Sequence, residues 1–92
     1  MQFDWNPQKA ILNAQKHGVT FVEAATAFGD PLAQIVDDPN HTETEDRYIL
    51  IGMPDQRWLL FVAFVERGDT IRIISARELT RKERANYEDT RP

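Results

Sequence analysis

Cysteine is missing from all 92 residues, which excludes disulfides, thiolate zinc sites and cysteine nucleophiles together. Long apolar runs are missing too. The longest, Trp58 to Val65, is far too short to span a bilayer, and Met1 to Lys9 lacks the apolar stretch of a signal peptide. A cytoplasmic protein without membrane association is expected. Length is also in short supply, so nearly every apolar side chain must serve one core, and a single domain over residues 1–92 is expected.

Within those bounds the composition is that of a folded domain. Hydrophobic residues make up 41% and charged residues 28%, far from the low-hydrophobicity, high-charge regime that keeps chains disordered. A net charge of −4 argues at first against nucleic acid, because phosphate binding rests on basic side chains displacing counterions. Its distribution reverses the argument. Residues 1–46 hold two basic side chains against eight acidic ones, a balance of −6, whereas residues 47–92 hold nine against seven, a balance of +2. Eight of the eleven basic residues are arginine, whose planar fork matches phosphate, although arginine is equally at home in surface ion pairs.

Asn6-Pro7 reads as a helix entry, since Asn caps free amides and proline is tolerated at the first helical position. A helix is predicted from about Pro7 to Lys16, with Gly18 as its left-handed terminator. Thr20 with Glu23 forms a capping box for a second helix, whose buried face is Phe21, Ala24, Ala25 and Phe28 and which Gly29-Asp30-Pro31 stops. Ala33 to Val36 is briefly strand-like. Three strands then follow, Arg47 to Met53, Arg57 to Glu66 and Thr70 to Arg77, joined by connections too short for parallel pairing. The second is apolar on both faces, which suits a central strand covered on both sides. Thr80 with Glu83 opens a last, highly charged helix from about Arg81 to Asp89, in which Ala85 and Tyr87 alone offer apolar contact. The expected fold class is α+β: two N-terminal helices packed on an antiparallel sheet of about four strands, with a C-terminal helix.

Three groups of residues can carry chemistry. Arg72-Ile73-Ile74-Ser75-Ala76-Arg77 places two arginines in an apolar strand, and burying an unpaired guanidinium is expensive. Strict alternation puts Arg77 with Ser75, Ile73 and Ile71 and puts Arg72 on the opposite face, so the two meet in one site only if a bulge or the strand end turns one of them. The plain structural reading is an ion pair with Glu45, Asp46 or Glu78. Lys16-His17 lies at the end of the first helix, against the negative end of its dipole, where it can hold a phosphate, donate to a leaving oxygen or simply cap carbonyls. His41, Glu43, Glu45, Asp46 and Arg47, with Asp37 and Asp38 upstream, form the acidic and imidazole cluster from which a general base can be drawn. Its spacing matches no zinc or calcium loop. A serine triad through Ser75 lacks the nucleophile-elbow motif. Trp58, Phe61 and Phe64 are read as core residues rather than base-stacking platforms.

Taken in order, these pieces resemble the BrnT family, toxins of bacterial type II toxin–antitoxin pairs with a RelE-like fold. The likeness runs over nearly the whole chain. It consists of Phe3-Asp4-Trp5 before the first helix, Lys16-His17-Gly18-Val19 with Phe21 and Ala24, and the Phe28-Gly29-Asp30 stop. It continues through Asp38-Pro39-Asn40-His41 with Glu45 and Arg47, then Ile51-Gly52, and Arg72 to Arg77 leading to Glu83-Arg84 and Tyr87-Glu88. The resemblance implies an endoribonuclease that needs no metal or other cofactor, in which a ribose 2′-hydroxyl attacks the neighbouring phosphate and basic groups stabilise the developing charge. It implies Arg77 and Arg72 as phosphate stabilisers with Arg47 in support, Lys16 or His17 as substrate contact or acid, and Glu45 or His41 as base. It further implies a BrnA-like antitoxin of ribbon-helix-helix type, joined in a heterotetramer that represses the shared operon, with DNA contacted only through the antitoxin. The competing reading is a non-catalytic partner-binding module. A DNA-binding regulator acting alone fits poorly, because no helix is basic along one face.

Overall fold

The computed structural model describes residues 1–40, 42, 45–55 and 58–88, for Glu88 the backbone alone. The elements in chain order are β1 (Gln2–Asp4), α1 (Pro7–His17), α2 (Phe21–Ala27), β2 (Gln34–Asp37), β3 (Arg47–Gly52), β4 (Leu60–Arg67), β5 (Thr70–Glu78) and α3 (Arg81–Glu88). Local signals set both N-terminal helices. The Asn6 side chain accepts the Gln8 and Lys9 amides at 2.9 and 3.2 Å, and Gly18, at φ 69°, ends α1 by donating its amide to the Ala14 carbonyl. Thr20 and Glu23 cap α2 reciprocally.

The sheet has five strands in the order β1-β5-β4-β3-β2. β3, β4 and β5 pair antiparallel in succession, as their short connections require, and β2 adds antiparallel at one edge. The other edge departs from expectation. Gln2–Asp4 forms a fifth strand parallel to Thr70–Arg72, so the sheet is mixed rather than antiparallel. Trp58 and Leu59, expected inside the middle strand, precede it, and Arg57, its expected first residue, lies outside the described residues.

β4 is central, and its two apolar rows serve different layers. Leu60, Val62 and Phe64 join Val19, Phe21, Ala24, Leu50, Ile73 and Ala76 in the main core under α1 and α2. Phe28 links this core across the layers, edge-to-face on Phe3 at 5.1 Å and on Phe64 at 5.0 Å. Gly52 permits the close approach of β3 to the end of α2, since a Cβ there would stand 2.9 Å from the Ala27 carbonyl oxygen. On the opposite side, Leu59, Leu79 and Tyr87 form a second cluster with Ile51, Met53 and Phe61, which seats α3 at one end of the sheet. Tyr87 is the anchor: its hydroxyl donates to the Leu32 carbonyl at 2.8 Å and lies 3.3 Å from that of Ile51. Ala85, the other apolar residue of this helix, is exposed.

Candidate functional site on the arginine face

The register between β4 and β5 decides where the arginines point. Ser75 stands opposite Ala63, but Ile73 stands opposite Phe64, so Ile74 is an extra residue and the strand bulges there. A bulge of one residue shifts every later side chain to the other face. Strict alternation is therefore wrong for this strand: Ile71, Ile73 and Ala76 face the helices, whereas Arg72, Ser75 and Arg77 face away from them. The bulge puts both arginines on one side.

Arg47 joins them from β3. It pairs with Val65, whose other neighbour is Arg72, so Arg47, Val65 and Arg72 form a row across three strands. Neighbouring strands are ~4.8 Å apart, which places the two arginine backbones on the order of 10 Å from each other. Arg77 belongs to a second row, Ile51, Phe61 and Arg77, four residues along β4 and thus about 13 Å away. Its guanidinium lies 4.2 Å from the centre of the Phe61 ring.

Each guanidinium holds a carboxylate, and the three pairs differ in kind. Arg47 donates from Nε to the buried Asp38 at 3.1 Å and lies 3.8 Å from Glu45. Burial drives the Asp38 carboxyl upward, but the Asn40 amide and Arg47 outweigh it and hold the group below the ordinary carboxylate range. Arg77 forks onto Glu83, Nη1 to Oε1 at 2.8 Å and Nη2 to Oε2 at 3.1 Å, and Nη1 also reaches the Glu78 carbonyl. The fork, aided by the Thr80 amide, lowers Glu83 to about 2 and raises Arg77. Arg72 meets Asp4 at 3.3 Å, with half of the Asp4 side chain exposed. Exposed single contacts of this sort are weak, so Arg72 is the guanidinium most easily given to an incoming anion. The carboxylate partners are thus Asp4 for Arg72 and Glu83 for Arg77, in place of the expected Glu45, Asp46 or Glu78.

The other expected site residues divide. Glu45 is brought beside Arg47. Lys16 and His17 stand at the end of α1, on the helix side of the sheet and opposite the arginine side chains. His41 and Glu43 lie outside the described residues, and among the described residues no group of three or more metal-ligating side chains converges. No helix among the described residues is long and apolar enough to cross a membrane.

One residue that the sequence reading passed over holds the site's strand. β1 covers β5 only as far as Arg72, and beyond it the buried Asn13 side chain acts as a substitute strand. It accepts the Ala76 amide at 3.0 Å and donates to the Ala76 carbonyl at 2.8 Å and to that of Val19 at 3.0 Å. The signal was a polar amide at the inward i+3 position between Ala10 and Ala14, where a core side chain belongs.

The family model described as ribonuclease toxin, BrnT, of type II toxin–antitoxin system matches residues 5–83. Among solved structures, the Brucella abortus ribonuclease toxin BrnT superposes with a TM-score of 0.71 at 23% identity, over 88% of this chain and 99% of that one, a likeness of fold. No curated protein matches. A match that runs from before α1 through the bulged strand β5 and into the first turn of α3 places the chain in the BrnT family, the ribonuclease toxins of type II toxin–antitoxin systems.

Proposed function

We propose that the arginine face is the RNA-cleaving surface of a metal-independent endoribonuclease. The observation that carries this is the bulge at Ile74, which turns Arg72 and Arg77 to the same side of the sheet, the side that Arg47 shares through its pairing with Val65, in a chain of a ribonuclease family. In the reaction, the ribose 2′-oxygen bonds to the adjacent phosphorus while the bond to the 5′-oxygen breaks, leaving a 2′,3′-cyclic phosphate and a 5′-hydroxyl. Charge accumulates on the phosphoryl oxygens, where fixed guanidinium donors act best. Arg72 exchanges Asp4 for the phosphate, Arg47 supports it from the same row, and Arg77, forked onto Glu83, offers its remaining N–H groups from the next. In this reading Glu45, beside Arg47, takes the 2′-hydroxyl proton, with His41, which lies outside the described residues, as the alternative base. The proton for the leaving oxygen falls to His17 or Lys16 only if the substrate wraps the β5 edge.

The reading includes an antitoxin of BrnA type, a ribbon-helix-helix protein that neutralises this chain in a heterotetramer and represses the shared operon, binding DNA on behalf of both. The acidic N-terminal half and the exposed Ile35 and Val36 of the edge strand β2 suit such a protein partner. The protein is read as a single cytoplasmic domain.

A second reading draws on one observation: every one of the three arginines already holds a carboxylate. That suits a non-catalytic module that only binds its partner. The two separate cleanly. Purified protein is expected to cut single-stranded RNA in EDTA and leave cyclic or 3′-phosphate ends, and expression alone is expected to arrest growth, relieved by Arg72→Ala or Arg77→Ala with unchanged circular dichroism. Cleavage abolished by EDTA overturns the metal-free scheme, and harmless wild-type expression with no RNA turnover favours the binding module.

A further inference from the structure

Beside Arg77, on the same side of the sheet, α3 and the strands border an open cavity of about 250 Å³. Ile51, Phe61, Leu79 and Tyr87 are its apolar lining residues, and Gln34 and Asn86 its neutral polar ones. The walls are preformed. Tyr87 ties α3 to the Leu32 and Ile51 carbonyls, and Glu83, which also borders the cavity, is locked by its fork to Arg77. Phe61 borders the space while its ring carries the Arg77 guanidinium.

This combination specifies a ligand class. The volume suits a single flat heterocycle and is too small for a peptide helix. Aromatic and guanidinium surfaces stack on unpaired bases, and neutral amides offer paired donors and an acceptor for a base edge without the desolvation cost of a charge. Glu83 adds no net repulsion, because Arg77 neutralises it. The cation row of Arg47 and Arg72 lies about 13 Å away along the strands, a distance set by the four-residue step between the rows, so a strand whose phosphate lies on Arg72 runs toward the cavity.

We propose that this cavity is a nucleobase pocket, which takes one unpaired base of the RNA, with Phe61 as stacking surface and the Gln34 and Asn86 amides reading the base edge. The inference rests on the RNA reading above and adds a source of sequence preference to it. The test compares cleavage of four short oligoribonucleotides that differ in the base beside the scissile bond. Wild type is expected to discriminate between best and worst by roughly tenfold, the scale of one stacked and hydrogen-bonded base, and Asn86→Ala and Gln34→Ala to shrink that ratio to about twofold. Asn86→Asp, which replaces the amide donors with acceptors at constant shape, is expected to alter which base is preferred. Arg72→Ala is expected to slow all four alike. Equal rates in wild type, or an unchanged ratio in both amide variants, overturn the pocket. If wild type cuts none of the four, the cleavage reading fails, and titration with the same oligonucleotides decides the pocket separately. Shifts of the Gln34 and Asn86 side-chain amide resonances support it, and their absence at saturation overturns it.

Discussion

On one side of the sheet, Leu60, Val62 and Phe64 meet α1 and α2 through apolar contact; on the other, Arg47, Arg72 and Arg77 meet carboxylates. Apolar burial has no alternative partner in water, so the helix side is committed to the fold. An ion pair can be exchanged for another anion at little net cost when it is exposed. The contrast explains how one strand, β5, serves both tasks: Ile71, Ile73 and Ala76 secure it from the helix side, and the bulge turns its arginines to the side where partners can change.

The largest effect that breaks this contrast is Phe64→Ala, which removes a fully buried ring from the helix-side core. Urea unfolding is expected to show a loss of about 3–5 kcal/mol. Asn13→Ala comes next, because it leaves the buried amide and carbonyl of Ala76 without their partner; a loss of about 2–3 kcal/mol is expected, with amide exchange accelerated along the outer side of β5. The fork between Arg77 and Glu83 ranks third and has a pH signature. Glu83 is lowered to about 2 in the folded chain, so its contribution is complete above the unfolded carboxylate value of roughly 4.3 and is lost as pH falls toward 2. Melting temperatures of wild type and Glu83→Gln should therefore differ at neutral pH and converge in acid; a constant gap would show that the fork does not titrate with this group. Smallest in stability is Arg72→Ala, expected within about 0.5 kcal/mol of wild type, yet its RNA cleavage should fall by about 10²–10³-fold if it stabilises the reacting phosphate.

The two sides were also unequally legible in the sequence. Capping pairs and apolar periodicity marked α1, α2, β3, β5 and α3 closely, because those signals are local. β1 escaped because three residues carry no periodicity, and its pairing with Thr70–Arg72 is made across the length of the chain. The arginines were visible as oddities in an apolar strand, but their common face was not, since it depends on one unpaired residue, Ile74, that alternation cannot reveal. Glu83 was legible as a cap for α3 and invisible as the clamp of Arg77, a contact that exists only once α3 folds back on the sheet. Asn13 was readable in principle, as an amide in a buried helical stripe, though its partner on β5 was not.

The most direct measurement is chemical-shift mapping of the protein against an RNA strand carrying 2′-O-methyl groups, which blocks cleavage. Shifts are expected along Arg47, Val65, Arg72, Ser75 and Arg77, weakening steeply as salt rises. Shifts confined to α1 and α2, around Lys9, Lys16 and His17, would place the RNA on the wrong side of the sheet and contradict the assignment of the arginine face.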